Sequence, residues 1–202
     1  MEPTAEIQRL LDLMPASGRM MTKIISKPQQ PKVIDVPFPM PWNRERRIFI
    51  NFDLWRQLTK PQRDLILLRS VSWVIAIRWF KPDLYQGLAA AGALASCQEL
   101  LQADAIGASV ASLLTALAIR QLWRSYRSSQ AEIAADEAAL RVACRRGYSE
   151  TEAAKHLLTA IEALAQIEKR GNLNFIELIR VQNLKAIAGL SPVGVPDSIK
   201  QE

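Results

Sequence analysis

The sequence predicts a mainly α fold with a small β element, in which a helical domain is interrupted by an apolar helical hairpin. Capped helical segments begin at Thr59 and Ser149, two stretches without any charged residue lie between them, and short β-prone runs precede them. At 202 residues the chain is long enough for one domain with its own core. We therefore treat residues 1–202 as a single domain.

Residues 1–47 are predicted to form an N-terminal helix followed by a proline-rich extended segment. Apolar residues recur at helical spacing from Ile7 to Met14, and Pro15 should end or bend that helix. In the proline-rich stretch, residues 33–36 favour a short strand, because proline lacks the N–H group that a sheet ladder needs.

Residues 48–80 are predicted to form a strand and a capped helix. The run from Ile48 to Phe52 is apolar and rich in β-prone residues. Thr59 and Gln62 then have the spacing of a capping box, and Pro61 lies in the first turn, where its missing N–H costs little. We expect a helix from about residue 60 toward residue 80.

Residues 83–123 are predicted to form a hydrophobic helical hairpin. Residues 84–98 and 105–119 carry no charge and flank a polar tip. Each stretch spans about 22 Å as a helix, and flanking apolar residues extend it toward the roughly 30 Å hydrocarbon core of a bilayer. Small residues that allow close helix packing and aromatic residues near the ends also favour a membrane hairpin.

The charges around the hairpin favour a multi-pass membrane protein with both termini in the cytoplasm. Basic residues flank the hairpin and acidic residues occupy its tip, which is the pattern of the positive-inside rule. The N-terminal residues also lack the features of a secretory signal. The candidates for contacts with lipid headgroups are Arg78, Lys81, Arg120, Arg124 and Arg127. An alternative is an Ala-rich helix pair buried in a bundle, because each apolar stretch is shorter than a standard span.

Residues 129–189 are predicted to form C-terminal helices, and residues 190–202 a loose tail. An Ala-rich helix should end at Gly147, a helix opened by the capping box of Ser149 and Glu152 should end at Gly171, and a last helix should stop at Gly189. The tail has two prolines and few residues to bury.

The cysteines and the net charge limit the classes of protein to which the chain can belong. Cys97 and Cys144 are the only two cysteines, so we expect no disulfide framework and interpret both as buried small hydrophobic residues. A net charge of +6 fits contact with anionic lipid or nucleic acid. Because many of the arginines flank the hairpin and no recognition signature is present, we expect no nucleic-acid partner.

The order of these elements resembles the HtpX-like and CAAX-prenyl-protease-like membrane zinc metalloproteases. In that family a strand and capped helix carry H-E-x-x-H, and a later helix carries E-A-D before a Gly-Tyr turn. Residues 48–73 (IFINFDLWRQLTKPQRDLILLRSVSW) match the first part and residues 131–158 (AEIAADEAALRVACRRGYSETEAAKHLL) the second. The resemblance, including the hairpin, covers residues 48–158 and implies a metalloprotease-like helical domain.

The positions that this resemblance assigns to zinc hold residues that cannot bind it. In H-E-x-x-H two histidines at i and i+4 bind the metal and the glutamate acts as general base. The degenerate positions are Arg69, Ser70, Trp73 and Ala134. His156 is the one histidine of the chain, so a site with two histidine ligands cannot form. We therefore expect an inactive relative with no catalytic residue, no metal and no cofactor.

Two further groups of polar residues have ordinary structural interpretations. Glu132 and Asp136 share a helix face at i and i+4, which we interpret as a solvated, salt-bridged surface. His156 is interpreted as a helix-face residue, because nothing in the sequence pairs it with a nucleophile.

Residues 14–24 (MPASGRMMTKI) and 37–52 (PFPMPWNRERRIFINF) are also similar to an uncharacterised family of cyanobacterial proteins. This resemblance implies a plasma or thylakoid membrane and a role with membrane protein complexes. We expect a non-catalytic, membrane-associated pseudo-metalloprotease scaffold that binds, assembles or stabilises such complexes, contacting membrane lipids and protein partners of unknown identity. The alternative is a soluble all-helical interaction or regulatory protein whose hairpin is buried in a partner or a homo-oligomer.

Overall fold

The computed structural model describes residues 2–40, 43, 45–77, 84–101, 105–126 and 128–192. The described chain is mainly helical with a small three-stranded sheet, which confirms the predicted mainly α class with a small β element. The elements in chain order are α1 (Pro3–Leu13), α2 (Ala16–Met21), β1 (Thr22–Ser26), β2 (Ile34–Asp35), β3 (Arg46–Ile50), α3 (Phe52–Trp55), α4 (Lys60–Ala76), α5 (Leu84–Leu101), α6 (Ala105–Tyr126), α7 (Ser129–Cys144), α8 (Glu150–Ile167) and α9 (Phe175–Ile187).

The chain separates into two compact units. Residues 1–77 and 129–202 form one unit, which we call the main unit, and residues 78–128 form the other. Within the second unit α5 and α6 pack against each other, and we call them the helix pair. The residues predicted as an interrupting hairpin therefore make a compact unit of their own.

The sheet of the main unit has three strands in the order β1-β3-β2. β1 runs parallel to β3 with Ile24 opposite Ile48, and β2 runs antiparallel to β3 with Ile34 opposite Ile50. The predicted strands at residues 33–36 and 48–52 correspond to β2 and β3, although β3 begins earlier. β1 was not predicted, because it follows α2 with no turn residue to mark where the helix ends.

Helix starts agree closely with the capping predictions. The Gln62 side chain accepts a hydrogen bond from the Thr59 N–H at 2.9 Å, and Ser149 and Glu152 form the reciprocal pair at the start of α8. Helix ends agree less well, since α4 stops at Ala76 and α8 at Ile167. The short helix α3 was not predicted, and it is capped by the Asn51 side chain, which accepts from the backbone N–H groups of the first turn.

The core of the main unit is built around α4. Leu65, Ile66, Leu67 and Leu68 are consecutive and all buried, so α4 is covered on every side. One buried cluster joins α4 to α1, the sheet and α3, with Trp55 fully enclosed, and a second joins it to α7, α8 and α9.

The predicted transmembrane hairpin is wrong. Among the described residues, no helix combines the length and the apolar character needed to cross a membrane. The 18 residues of α5 span only about 27 Å and include Glu99, while the longer α6 contains serine and threonine along its length. The predicted multi-pass location in a plasma or thylakoid membrane, with cytoplasmic termini, depended on that hairpin and is corrected with it.

The interpretation of the cysteines as buried hydrophobic residues is also wrong. Cys97 on α5 and Cys144 at the end of α7 are both free and exposed. Each cysteine lies on a helix face that the described residues leave uncovered. The predicted loose tail lies beyond the described residues from residue 193 onward.

Candidate functional site

A buried group of charged side chains lies where α4, α7 and α9 meet. Asp136 on α7 is 1% exposed and accepts two hydrogen bonds from Arg180 on α9, from Nε at 2.7 Å and from Nη2 at 2.8 Å. Arg69 on α4 pairs with Glu132, and its Nε lies 3.6 Å from Oδ1 of Asp136. We call Arg69, Glu132, Asp136 and Arg180 the arginine cluster.

The spacing of the two acids explains how a single helix, α7, supplies both carboxylates of the arginine cluster. Glu132 and Asp136 are separated by one turn of α7 and share a face, as predicted. The interpretation of that face as solvated is wrong, because α4 and α9 cover it and Asp136 is buried. Burying these charges is tolerated because each has a partner of opposite sign.

Burial disfavours the positive charge of Arg69. Burial lowers its pKa to about 9, the positive charge of Arg180 acts in the same direction, and Asp136 and Glu177 oppose the shift. A cavity of about 60 Å³ lies beside it, lined by polar atoms of Arg69, Ser70, Glu177 and Arg180 and by apolar side chains. This volume suits a few water molecules and is far below that of a ligand pocket.

The positions assigned to zinc do not come together. α4 and α7 pack against each other, but Ala134 on α7 is exposed and faces away from the cluster, two residues before the buried Asp136. Ser70 and Trp73 are buried along α4, and Arg69 is held in the arginine cluster. Within the part of the chain that the structure describes, no group of three or more His, Cys, Asp or Glu side chains could hold a metal ion.

A second charged group ties α1 to the rest of the main unit. Glu6 is largely buried and accepts hydrogen bonds from Arg9, Arg63 and the Trp55 indole. Arg9 also donates to Asp64 at 2.6 Å, and the opposite oxygen of Asp64 accepts from the Tyr148 hydroxyl at 2.9 Å. We call this the N-terminal cluster, formed by Glu6, Arg9, Trp55, Arg63, Asp64 and Tyr148.

Hydrogen bonding shifts the pKa values within the N-terminal cluster. Burial acts to raise the pKa of Glu6, but hydrogen bonds from Arg9 and Trp55 outweigh it and lower the pKa below its usual value. The pKa of Arg9 is raised, chiefly by its hydrogen bond with Glu6. Burial and donation to Asp64 raise the pKa of Tyr148 to about 12. No local pattern in the sequence indicated this cluster, because its members come from four separate segments.

The helix pair has an inner seam of small residues. A Cβ atom added at Gly92 of α5 would lie 2.5 Å from Oγ1 of Thr115 on α6, so the helices approach too closely there for any side chain. Gly107, Ala111 and Thr115 follow one another at four-residue intervals and are half-buried. Gly92 lies about as many residues from the end of α5 as Thr115 lies from the start of α6. Since these two residues meet, the two helices run antiparallel.

The large aliphatic side chains of the helix pair lie on its outside. Ile106, Val110, Leu113 and Leu117 recur at intervals of three and four and form one stripe along α6, with Ile106 79% exposed. On α5, Leu94 is 73% exposed and Leu101, two turns later, is 88% exposed. We call the five exposed side chains of α6 the aliphatic face: Ile106, Val110, Leu113, Leu114 and Leu117.

The basic residues predicted to contact lipid headgroups are only partly described. Arg78, Lys81 and Arg127 lie outside the described residues. Arg120 is exposed on α6, and Arg124 lies in the last turn of the same helix. Their assignment to lipid headgroups stays a prediction.

The fold and these sites define a mainly helical protein with a small sheet, two charged clusters and an exposed aliphatic face. Residues 8–148 match the family described as "protein of unknown function (DUF3318)", and the chain belongs to this family. The match extends from α1 to the turn after α7 and includes the helix pair. No curated protein and no solved structure matches the chain. The relation to HtpX-like and CAAX-prenyl-protease-like enzymes stays a prediction.

Proposed function

We propose that this chain is a non-catalytic interaction protein that docks on a protein surface through the aliphatic face of its helix pair. The observation that supports this is the distribution of side-chain size. Gly92 and Thr115 meet in the seam between α5 and α6, while leucine, isoleucine and valine face outward. A helix pair that had only itself to stabilise would gain more by placing its large apolar side chains in the seam.

The exposed aliphatic side chains are in contact with water, and a partner that covered them would remove that contact. Moving one leucine side chain from water to a fully buried position contributes about 1.5–3 kcal/mol. The aliphatic face has five aliphatic residues at 49–79% exposure on one side of α6, and exposed apolar patches of this kind mark interaction sites on proteins. A partner that covered them would supply this stabilisation.

The arginine cluster supports the non-catalytic part of the proposal. Arg69 is engaged with Glu132 and Asp136, so its guanidinium is held by the protein's own carboxylates. The cavity beside it, about 60 Å³, has room for water and not for a substrate. These contacts suit a role in joining α4, α7 and α9.

The proposal is tested by the native size of the chain in a gentle extract of its own cells. The variant Leu113→Gln with Leu117→Gln removes two members of the aliphatic face, and Ser112→Gln with Ala116→Gln places the same groups one position earlier, at exposed sites. The wild-type chain should elute well above its monomer mass of 22.6 kDa. The first variant should elute near that mass, and the second should behave as wild type.

Circular dichroism of both variants controls for folding. If the wild-type chain and the Leu113→Gln/Leu117→Gln variant elute at the same volume, the aliphatic face does not hold a partner and the proposed function is wrong.

A further inference from the structure

A cavity of about 370 Å³ opens beside the N-terminal cluster, where α1, the first turns of α4 and the turn after α7 meet. Its volume lies within the range of pockets that hold small molecules. All of its lining residues belong to the main unit. Most of them carry a charge or a hydroxyl group: Arg9, Asp12, Lys60, Asp64, Arg146 and Tyr148.

The inner wall of the cavity is neutralised by the protein's own contacts. Asp64 is buried, its Oδ1 accepts a hydrogen bond from Arg9, and its Oδ2 accepts one from the Tyr148 hydroxyl. Arg9 also pairs with Glu6. The inner wall therefore offers hydrogen-bonding oxygen atoms and no unpaired charge.

The outer rim of the cavity has charges that the protein leaves unpaired. Lys60, Asp12 and Arg146 are exposed and make no ion pair with the residues that the structure describes. Arg146 donates from Nη2 to the backbone carbonyl of Met14 at 3.0 Å, which holds the guanidinium in place without cancelling its charge. Two of the three rim charges are positive and one is negative, so the rim is positive on balance.

We propose that this cavity binds a small organic oxyanion, a carboxylate or a phosphate, held by Lys60 and Arg146. A guanidinium presents paired N–H groups that match the oxygen atoms of either anion, and an ammonium adds a compact positive charge. The ligand would supply the opposite charge that these two side chains lack. This site is independent of the aliphatic face, which belongs to the other compact unit.

The inner wall indicates what the rest of the ligand carries. Carboxylate and hydroxyl oxygens have more than one lone pair, so Asp64 and Tyr148 can each accept one more hydrogen bond. A hydroxyl group on the ligand would donate to them while its anionic end contacts the rim. Asp12 repels further negative charge, so the site suits a ligand with a single anionic group.

The first experiment titrates the isotope-labelled full chain with inorganic phosphate, glycerol 3-phosphate and glycerate, and follows the backbone amides by NMR at constant ionic strength. The amides of Leu13, Lys60 and Gly147, which line the cavity, should shift and saturate with a Kd of about 1 mM or tighter for at least one probe. Gly171 lies outside the cavity and should not shift. The comparison of glycerol 3-phosphate with glycerate shows whether the anionic group is a phosphate or a carboxylate.

The second experiment changes the rim. Lys60→Met with Arg146→Met should weaken binding at least about tenfold, because it removes both cations. Arg145→Met with Lys155→Met removes the same charge at exposed positions outside the cavity and should leave the Kd unchanged. Asp12→Asn should tighten binding about threefold, since it removes the repelling charge. Loss of structure would have the opposite effect on the Kd.

Circular dichroism controls for folding, and Lys60→Met alone, at an exposed position, serves if the double variant does not fold. The inference is overturned if none of the three probes gives saturable shifts up to about 20 mM, or if the shifts centre on residues away from the cavity. It is also overturned if the variants without the rim cations bind as tightly as wild type, or if Asp12→Asn weakens binding.

Discussion

Arg180 donates two hydrogen bonds, of 2.7 and 2.8 Å, to the carboxylate of Asp136, which lies 44 residues earlier in the sequence. The pair fixes α9 against α7, and Nε of Arg69 on α4 lies 3.6 Å from Oδ1 of the same carboxylate. Asp136 is thus the acid shared by the buried Arg180 and the half-buried Arg69. The stability of this part of the main unit should depend on it more than on any neighbouring surface charge.

The variant Asp136→Asn should destabilise the protein by about 3–5 kcal/mol, because it leaves Arg180 and Arg69 buried with less compensating charge. The measurement is the free energy of unfolding in denaturant at neutral pH. Glu137→Gln, at the exposed neighbouring position, should change this free energy by about 0.5 kcal/mol or less. Equal effects at the two positions would show that Arg180 finds other partners.

Glu6 should make the stability of the protein depend on pH in the acidic range. Its folded pKa lies below the ordinary value of 4.5, so its ionised form stabilises the folded state above that pH. This contribution is lost as the pH falls through the folded pKa, where the carboxylate takes up a proton.

The variant Glu6→Gln should lower the free energy of unfolding at pH 7 by about 2 kcal/mol, since it weakens hydrogen bonds from two arginines. The difference from wild type should shrink as the pH falls below about 4.5. Chemical unfolding across this pH range measures both effects, with the exposed Glu2→Gln as control. A difference that stays constant with pH would contradict the assignment.

Gly18 is required for the contact of α2 with α4. A Cβ atom there would lie 2.8 Å from Cγ1 of Val71, which is itself buried. Gly18→Ala should therefore cost about 1–3 kcal/mol through overpacking. Ser17→Ala at the exposed preceding position is the matched control. Combining Gly18→Ala with Val71→Ala should cost less than the sum of the two single changes, as measured by thermal or chemical unfolding.

Gly92 should be required for the close approach of α5 and α6. Gly92→Ala forces a clash with the Thr115 hydroxyl, whereas Gly87→Ala on the same helix meets no atom within 4 Å and should stabilise it by about 0.5–1 kcal/mol. Hydrogen exchange of the α5 and α6 amides is the measurement. Exchange should accelerate in the first variant and slow in the second, and Thr115→Ala should partly restore protection to Gly92→Ala.

Helix starts were predictable because a cap depends on residues a few positions apart. Thr59 with Gln62, and Ser149 with Glu152, form the expected boxes. Gly147 and Gly189 likewise adopt the positive φ angles of 96° and 70° expected after a helix. β1 escaped prediction because its main partner is β3, more than 20 residues away, and no local signal marks that pairing.

The candidate site was predicted only in part for the same reason. The sequence indicated that Glu132 and Asp136 share one face of a helix, and the structure adds that Arg69 and Arg180 cover it. The residues of the N-terminal cluster lie up to 142 positions apart, from Glu6 to Tyr148. Contacts over such separations depend on how helices pack, which periodicity does not reveal.

The sequence by itself determined the mainly helical class, the helix caps and the existence of two weakly charged helical segments between residues 84 and 126, because these follow from local propensity and spacing. Only the tertiary structure decided which faces are covered. It buried Asp136 under α9, left Cys97 and Cys144 exposed, and placed small residues between α5 and α6 with the aliphatic residues outside. Burial depends on which distant segment lies against a face, and that is fixed by the packing of the whole fold.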